Sequence, residues 1–488
     1  MYSGFKVMIG LEVHAQITSL KTKLFCSCPS NYREKAPNTN VCPVCLGLPG
    51  SLPVLNKKAI EEAVKVALAL NSTPNKVLIF TRKHYFYPDL PKNYQISQYD
   101  GVGSAPLAKG GYIVISPTRG VEKVVRIRRI NVEEDPGRIV YPYGSISASP
   151  YSLIDYNRSG IALLEIVTEP DLESPREARC FIQKLLSILE HLGVTDPKLE
   201  GAVRVDANVS VGGGERVEIK NIGSPKDVEK ALAYEIARQL SIIRSGGKVI
   251  RETRHWDKSK GVTIAGRAKE LEEDYRYFPD PDLPAIPIDK SLIDKLLSEL
   301  PELPDERVNR LIQKYGLTRY VASVIVTSGK DLADFFEEVV RQCGSPQLVS
   351  SILVNELLRW VDELNVDLRE GIKRLNKDRL CKIISYYNNN LINIKLLKNY
   401  IKEVIVNNAE PEALVRQGYV TIRDYRVLEA VIDEVIRENP KAVSDALKNP
   451  KVINYLVGQV MLKTKGRADP RITNELIVRR LRSLGNVS

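Results

Sequence analysis

The sequence predicts an α+β protein in which a β-rich first part is followed by an all-α second part. Short runs of β-branched and apolar residues recur between about residues 9 and 221, with helical patterns among them. Pro284, Pro287, Pro301 and Pro304 mark a linker, and beyond it the strand pattern disappears. Because 488 residues exceed what one hydrophobic core holds, we expect about two to four domains.

The composition is that of a soluble globular protein, with 43% hydrophobic and 27% charged residues. No apolar run reaches the ~18 residues of a membrane span, and the first residues lack the pattern of a secretory signal. We therefore expect a cytoplasmic protein without a membrane partner. The net charge of +11 favours a polyanionic partner such as RNA, although basic intracellular proteins without one are common.

The first predicted strand, residues 9–14, carries an unusual polar pair. Successive strand side chains point to opposite faces, so Glu12 and His14 share one face while Leu11 and Val13 share the other. A carboxylate beside an imidazole can ligate a hard cation or transfer protons. The same pattern also suits a half-exposed strand whose polar face meets solvent.

Four cysteines follow as two close pairs, Cys26 with Cys28 and Cys42 with Cys45. Two such pairs separated by a loop can supply four thiolates to one tetrahedral zinc ion. A disulfide framework is disfavoured in a reducing compartment, so we expect a structural zinc site within residues 26–45. The alternative is four reduced thiols without metal.

Five predicted strands place acids among β-branched residues. They carry Glu12; Glu133 and Glu134; Glu165; Asp206 with Asn208; and Glu218 with Lys220. The last two pairs are spaced two apart and therefore share a face. The recurrence suggests a sheet whose polar face binds cations, and magnesium prefers such oxygen ligands. The alternative is an antiparallel sheet with one solvated face.

Capping residues mark the predicted helix starts. Asn56 is predicted to cap a helix that runs to about Leu70. Ser174 and Ser224, each followed by proline, begin two more helices, and glycines at 193 and 246 end them. Beyond the linker, helices are predicted at residues 305–314, 331–342, 347–365 and 377–387, with shorter ones from 394 to 484.

Two polar-aromatic stretches and a basic tail are candidates for contact with nucleotide or RNA. Residues 84–95 and 274–282 contain Tyr85, Tyr275 and Arg276, and aromatic faces stack on bases, although either stretch can be an ordinary packed loop. The tail includes Lys463, Lys465 and Arg467. A solvated helix face is the usual meaning of such charge, and phosphate contact is the functional alternative.

Common catalytic motifs are absent: the sequence contains no Walker loop, no Gly-x-Ser-x-Gly, no protein-kinase signature and no His-Glu-x-x-His. Covalent catalysis by a Ser or Cys triad is therefore unsupported. Phosphoryl transfer needs mainly positioning and charge neutralisation, which metals held by carboxylates can supply. From the residues alone we infer metal-dependent phosphoryl or nucleotidyl chemistry, with RNA as a candidate substrate.

Several of these segments together resemble the B subunit of the Glu/Asp-tRNA amidotransferase, of the archaeal type. The resemblance rests on residues 9–14, 82–89 with 94–98, 133–138, 206–208 and 274–281, and in the tail on 456–461 with 463–466. These motifs run in order along essentially the whole chain and are highly specific as a set. The related E subunit of the archaeal two-subunit enzyme carries an additional inserted domain, for which this chain has no room.

The resemblance implies three parts. Residues 1–292 would form a catalytic cradle domain with a large antiparallel sheet and the zinc-binding insertion at 26–45. Residues 293–405 would form a helical domain. Residues 406–488 would form a small helical, YqeY-like tail domain that binds tRNA.

The resemblance also implies a glutamine-hydrolysing ligase that forms carbon–nitrogen bonds. Such an enzyme uses ATP and Mg²⁺ to phosphorylate the side-chain carboxylate of misacylated Glu-tRNA(Gln) or Asp-tRNA(Asn). Ammonia channelled from the amidase A subunit then displaces the phosphate. A small C subunit holds A and B together, and a non-discriminating aminoacyl-tRNA synthetase is a further implied partner. Which misacylated tRNA is served cannot be read from a short motif.

Carried over by motif, the resemblance assigns roles to individual residues. The catalytic residues would be Glu12, His14, Glu133, Asp206 and Glu218, and the magnesium ligands Glu12, His14, Glu134 and Glu165. Nucleotide or substrate would contact Tyr85, Asn208, Lys220, Tyr275 and Arg276, and tRNA would contact Lys463, Lys465 and Arg467. Placing both Glu133 and Glu134 in the site requires a bend in the strand. Asn131 and His84 depart from the family, which usually has His and Asn there.

The competing hypothesis is a non-catalytic, zinc-braced RNA-binding scaffold. It rests on the cysteine cluster and the basic tail, and it predicts that the protein turns over no ATP with any combination of partners.

Overall fold

The structure, a computed structural model, describes residues 4–101, 103–118, 120–144, 148–266 and 272–485. The chain divides into two compact units, Met1–Pro304 and Asp305–Ser488. The described strands all belong to the first unit, whereas the second is built of helices. This arrangement confirms the predicted α+β class. The three predicted domains, with boundaries after residues 292 and 405, stay a prediction.

The first unit contains strands β1–β17 and helices α1–α4. The strands are Val7–Gln16 (β1), Thr73–Pro74 (β2), Val77–Leu78 (β3), Thr81–His84 (β4), Tyr94–Ser97 (β5), Ala108–Lys109 (β6), Tyr112–Thr118 (β7), Val121–Glu134 (β8), Arg138–Val140 (β9), Leu153–Asp155 (β10), Ala162–Thr168 (β11), Val203–Val211 (β12), Val217–Ile222 (β13), Glu252–Asp257 (β14), Val262–Ala265 (β15), Phe278–Pro279 (β16) and Ile286–Pro287 (β17). The helices are Lys57–Ala69 (α1), Pro175–His191 (α2), Pro225–Arg244 (α3) and Lys290–Ser298 (α4), with 3₁₀ turns at Tyr156–Arg158 and Glu272–Tyr275.

A ten-stranded sheet organises this unit, and β1 lies near its middle. The strand order is β15-β14-β13-β12-β1-β11-β8-β6-β2, with β7 paired to β8 off this path. Neighbours are antiparallel except β13 and β14, which run parallel because α3 connects them as a crossover. The large antiparallel sheet implied by the resemblance is therefore a mixed sheet. Three small sheets, β9–β10, β4–β5–β16 and β3–β17, lie beside it.

The two faces of the sheet differ because side chains alternate along each strand. In β1, Ile9, Leu11 and Val13 are buried in the hydrophobic core, whereas Glu12 and His14 point to the other face. Helices α2 and α3 contribute their apolar sides to the same core. The polar face is thereby left to form a site.

The predicted helix caps are confirmed. The Ser174 hydroxyl accepts a hydrogen bond from the amide of Glu177, and the Ser224 hydroxyl accepts one from the amide of Asp227. The Asn56 side chain caps α1, which ends one residue before the predicted Leu70. Because these caps begin α2 and α3 at defined positions, they fix how the helices meet the sheet.

The second unit contains helices α5–α17 around two hydrophobic clusters. The helices are Pro304–Tyr315 (α5), Arg319–Thr327 (α6), Lys330–Cys343 (α7), Pro346–Ile352 (α8), Leu358–Glu363 (α9), Leu368–Leu375 (α10), Lys377–Asn388 (α11), Ile394–Asn407 (α12), Pro411–Arg416 (α13), Tyr425–Glu438 (α14), Pro440–Lys448 (α15), Ile453–Lys463 (α16) and Pro470–Gly485 (α17). A π-helical turn, Leu353–Leu357, joins α8 to α9, and a 3₁₀ turn, Pro450–Val452, precedes α16. One cluster reaches from Val308 to Leu414 and the other from Leu428 to Leu481. Within the described residues, no helix has the length and apolar character needed to cross a membrane.

Candidate active site

Three potential metal ligands meet on the polar face of the sheet. His14 on β1 lies directly opposite Glu165 on β11, and Glu12 lies two residues before His14 on the same face. One ligand atom from each of Glu12, His14 and Glu165 lies within 4.8 Å of the other two. The structure therefore brings together three of the four predicted magnesium ligands.

The neighbouring glutamates of β8 separate. The Nε2 atom of His14 lies 3.6 Å from an oxygen of Glu133 and 3.5 Å from an oxygen of Glu12. The Glu134 side chain projects from the opposite face of the strand. There Lys92 forms an ion pair with it, and the Ile96 amide donates a hydrogen bond to it at 2.9 Å. Glu133 therefore borders the three-ligand cluster, and Glu134, the fourth predicted ligand, does not join it.

The electrostatics of this cluster are set by burial and by the charges that crowd around it. Burial raises the pKa of Glu12, but His14 and Lys83 are among the groups that outweigh burial and lower it to about 2. Burial raises the pKa of Glu165 to about 7, and the charges of Glu12 and Glu133 add to the shift. A cation would relieve the repulsion that holds a proton at this site. Oxygen-rich donors with one imidazole suit a hard divalent ion such as Mg²⁺.

Asn131 holds Glu165 in place. The two residues lie opposite each other on β8 and β11, and the Asn131 amide nitrogen donates to Glu165 Oε2 at 2.5 Å. Asn131 is buried, and its Oδ1 atom has no hydrogen-bond partner among the described residues. Asn131 thus orients a candidate ligand.

A second polar group lies beside the first on β12 and β13. Lys220 Nζ lies 3.9 Å from a carboxylate oxygen of both Asp206 and Glu218. The Thr253 hydroxyl donates to Glu218 at 3.0 Å. Asn208 lies opposite Glu218, and its buried Oδ1 has no hydrogen-bond partner in the described part of the chain. This arrangement leaves polar atoms available to a ligand.

The two groups border one pocket of about 810 Å³. Lys83, Tyr275 and Tyr277 line it together with Glu12 and residues of β11 to β14. The Lys83 ammonium lies 4.9 Å from the centre of the Tyr275 ring. Although burial lowers the pKa of Lys83, the charges of Tyr277 and Glu133 raise it well above the usual range. A cation therefore lines the pocket close enough to the acidic cluster to interact with Glu12 and Glu133.

Sequence reasoning predicted Lys220 but missed most of the other basic residues of this pocket. Lys83, Arg129, Arg216 and Arg251 line it, and none of them was predicted as a site residue. One signal was available for Arg129, because it precedes Asn131 and Glu133 by two and four residues and so shares their face. The others come from loops or from another sheet, where no periodicity connects them to β1.

Two of the predicted substrate residues, Tyr85 and Arg276, do not line the pocket. Tyr85 packs edge-on against Tyr275 at 6.1 Å between ring centres, and burial raises its pKa. Arg276 is exposed, has a left-handed backbone with φ of 47°, and does not line the pocket. Asn208, Lys220 and Tyr275, by contrast, all line it.

The four cysteines Cys26, Cys28, Cys42 and Cys45 come together as predicted. One sulfur atom from each lies within 4.8 Å of the other three, and none forms a disulfide. A hydrogen bond from Cys26 is the largest influence on Cys45 and lowers its pKa to about 4, which favours a thiolate. Four convergent sulfurs of this kind suit tetrahedral zinc.

The tail residues predicted to contact tRNA differ in whether their charged groups are bound by other residues of the protein. Lys463 pairs with Glu434 and Glu438, each at 2.7 Å, and Arg467 donates to the Gly418 carbonyl at 3.0 Å. Lys465 is exposed. Two of the three cations are thus engaged within the protein, and Lys465 presents its charge to solvent.

Comparison with known proteins gives matches over nearly the whole chain. The family described as GatB/GatE catalytic domain matches residues 7–294, and the GatB domain matches residues 334–481. A relative from Sulfurisphaera tokodaii is 55% identical over 96% of this chain and 98% of its own length. A relative from Thermotoga maritima is 44% identical over 97% of this chain and 98% of its own. Both are named as the B subunit of an aspartyl/glutamyl-tRNA(Asn/Gln) amidotransferase.

Proposed function

Because the chain belongs to the GatB/GatE family, we propose that it is the B subunit of a tRNA-dependent amidotransferase. The subunit uses ATP to activate the side-chain carboxylate of misacylated Glu-tRNA(Gln) or Asp-tRNA(Asn). Ammonia then reacts with the activated group. The observation that carries this proposal is the convergence of Glu12, His14 and Glu165 on the polar face of the sheet. That convergence supports a site for phosphoryl transfer rather than a solvated sheet surface.

Glu12, His14 and Glu165, bordered by Glu133, are the residues that would hold Mg²⁺. An ion held there would supply neutralisation of the negative charge on the phosphate oxygens during phosphoryl transfer. Lys83 lines the same pocket and adds positive charge that acts on Glu12. The resemblance made Glu134 a magnesium ligand and Glu133 a catalytic residue; with Glu134 held by Lys92, we assign the place beside the cluster to Glu133 alone.

Asp206, Glu218 and Lys220 form the second half of the proposed centre. The Lys220 ammonium lies 3.9 Å from a carboxylate oxygen of each acid, beyond hydrogen-bond distance, so it is placed to bind a phosphate group beside a metal held by the two acids. Asn208 and Tyr275 line the same pocket, Tyr85 supports Tyr275, and Arg276 stands outside it. We assign the pocket to the nucleotide and the aminoacyl end of the tRNA.

In the proposed reaction, the side-chain carboxylate of the aminoacyl group attacks the γ-phosphorus of ATP and releases ADP. Ammonia then attacks the acyl phosphate, phosphate leaves, and the amide of Gln-tRNA or Asn-tRNA remains. Sequence motifs for a Ser or Cys triad are absent, so the ammonia is supplied by an amidase A subunit that hydrolyses glutamine.

The remaining proposals concern partners and stability. A small C subunit joins the A and B subunits, and a non-discriminating synthetase supplies the misacylated tRNA. The enzyme works in the cytoplasm. The tail contacts tRNA through Lys465, while Lys463 and Arg467 shape its surface. Zinc bound by the four cysteines is a structural brace, because no position in that cluster is left for substrate.

The test compares Glu165→Gln with Glu122→Gln in the complex reconstituted with the amidase and the small subunit. Glu122 is exposed at the far end of the same sheet, on β8. We expect Glu165→Gln to lower Glu-tRNA-stimulated ATP hydrolysis at least ~100-fold, with tRNA binding unchanged. Glu122→Gln should behave as wild type.

Equal ATP hydrolysis in the two variants would contradict the site. Absence of ATP hydrolysis in the wild-type complex, with either Glu-tRNA(Gln) or Asp-tRNA(Asn), would instead favour the zinc-braced scaffold. Running both tRNAs in parallel also identifies which one the enzyme serves.

A further inference from the structure

One lysine is buried beside the cysteine cluster. Lys23 has an exposed fraction of 0%, and its ammonium donates to the Asn40 carbonyl at 2.9 Å. The same nitrogen lies 3.6 Å from the sulfur of Cys45. Its backbone also engages the cluster, because the Lys23 amide donates to the Cys28 carbonyl at 2.9 Å.

A buried ammonium is costly unless an anion accompanies it. Among the residues that the structure describes, no carboxylate lies within ion-pair distance of the Lys23 ammonium. The Asn40 carbonyl satisfies one donor but carries no net charge. The sulfur of Cys45 is therefore the group that can supply the missing negative charge.

We infer that Lys23 is the buried counter-charge of the cysteine cluster and strengthens its hold on zinc. A zinc ion with four thiolates carries a net negative charge of about two, and a buried ammonium in contact with one sulfur cancels part of it. The inference rests on the zinc brace proposed above and assigns it a residue that is not itself a ligand.

The packing around Lys23 holds it in this position. Gly160 has φ of +85°, and a Cβ atom there would lie 3.5 Å from Lys23 Cδ and 3.6 Å from Cys45 Cβ. The stem of the lysine and the cysteine thus lie against the same glycine. The Ser159 hydroxyl donates to the Cys45 carbonyl at 3.1 Å, which fixes the other partner. The contact is therefore not a chance approach of a mobile side chain.

The test measures zinc retention in the full-length chain. Lys23→Met removes the charge and the donors, whereas Lys23→Gln removes the charge but keeps a donor for the Asn40 carbonyl. Lys21→Met is the control, because Lys21 is exposed in the same segment. Zinc content is measured by metal analysis, and zinc release is followed with a chromogenic chelator. We expect both Lys23 variants to release zinc at least ~10-fold faster than wild type and the Lys21 variant to match it.

The outcomes separate the two proposals. If the wild-type chain contains no zinc, the brace itself fails and this inference fails with it. If wild type holds zinc and Lys23→Gln releases it at the wild-type rate, only the role of Lys23 is overturned. Unfolding temperatures with and without zinc provide the second readout. If Lys23 is a counter-charge, its substitution should lower the unfolding temperature more in the zinc-loaded chain than in the zinc-free chain. An equal decrease in both states would mean that Lys23 contributes only packing.

Discussion

At the scale of single residues, Glu133 and Glu134 are adjacent in sequence and differ in role. Glu133 lies by His14, whereas Glu134 is held by Lys92 on the other side of β8. The strand remains regular enough to keep them apart, so the bend needed to place both in one site is not present. Of these two adjacent acids, Glu133 therefore places its carboxylate beside the three-ligand cluster, and Glu134 forms a structural ion pair.

Asn131 provides a test of how the cluster is oriented. Its amide donates to Glu165 at 2.5 Å, so Asn131→Ala should free that carboxylate to rotate. We expect the Mg²⁺ concentration for half-maximal ATP hydrolysis to rise ~10- to 100-fold, because groups that orient ligands carry effects of this size. The measurement is a Mg²⁺ titration of the reconstituted complex.

Asn131→His is the matched control, since an imidazole also offers a hydrogen-bond donor to Glu165. An unchanged Mg²⁺ requirement in Asn131→Ala would show that Glu165 is held by its strand alone.

The sequence predicted the acids of this site better than its cations. Glu12, His14 and Glu165 follow from strand periodicity and from the family motif, and the register of β1 with β11 brings them together. Lys83 comes from β4 in a separate small sheet. No local pattern relates that strand to β1, so its contribution to the pocket required the three-dimensional fold.

At the scale of elements, an ion-pair cluster joins α5 to α7. The carboxylate of Glu337 accepts hydrogen bonds from Arg307 at 2.8 Å and from Arg310 at 2.5 and 2.9 Å. Burial raises the pKa of Glu337, but the two arginines outweigh burial and lower it to about 2. The carboxylate is therefore more acidic in the folded unit than in the unfolded chain.

The sign of the pH dependence follows from that shift. A lowered pKa stabilises the fold at pH values above the ordinary glutamate range, near 4.5, and this stabilisation is lost as the pH falls towards 2. Glu337→Gln should therefore cost about 2–3 kcal/mol of unfolding free energy at pH 7 and roughly half as much at pH 3. Urea unfolding at the two pH values measures the difference.

A matched variant for this test is Glu338→Gln, at an exposed neighbouring position on α7. It should change the unfolding free energy by less than about 0.5 kcal/mol at either pH. A loss at Glu337 that is the same at pH 3 and pH 7 would mean that packing, not charge, explains the effect.

The cysteine segment is tied to the strand ends that carry the acids. Ser159 contacts Cys45, Gly160 donates to the Asp135 carbonyl at 2.9 Å, and the Asp135 amide donates to the Ile161 carbonyl at 2.8 Å. Asp135 follows the end of β8, and Ile161 precedes β11. Metal at the cysteines would therefore stabilise the ends of two strands of the site.

Removal of zinc should loosen this connection without unfolding the sheet. In Cys28→Ser, we expect zinc loss, faster hydrogen exchange at the amides of Leu24, Asp135 and Gly160, and ~10-fold lower ATP hydrolysis. Exchange in the second unit serves as the internal reference. Unchanged hydrogen exchange at these three amides after verified zinc loss would show that the zinc site does not stabilise the strand ends of the active site.

At the scale of the whole molecule, the tail offers a test of tRNA contact. Lys465 is exposed, whereas Lys463 is neutralised by two glutamates. Lys465→Gln should weaken tRNA binding and lower the slope of log affinity against log salt by about one. Lys463→Gln should leave that slope unchanged. Filter binding at several salt concentrations distinguishes the two, and equal slopes for both variants would argue against a phosphate contact at Lys465.

The α+β class of the protein could be predicted from its sequence, but the order and direction of its strands could not. Caps at Ser174 and Ser224 predicted where helices begin, and the change of pattern across the linker from Pro284 to Pro304 predicted where strands stop. The parallel pairing of β13 with β14 was not predicted, because strand direction depends on the path of α3. Pairing partners are set by tertiary packing, which period-two alternation does not encode.

The central position of β1 has a consequence for how the protein is made. β1 leaves the ribosome long before its partners β11 and β12, which end at Thr168 and Val211. At ~5–20 residues per second, the nascent strand waits roughly 10–40 s before both of its edges can be paired. During that time Glu12 and His14 lack the strands that complete their site. We therefore expect nascent chains that stop before Val211 to need a chaperone more than the finished protein does.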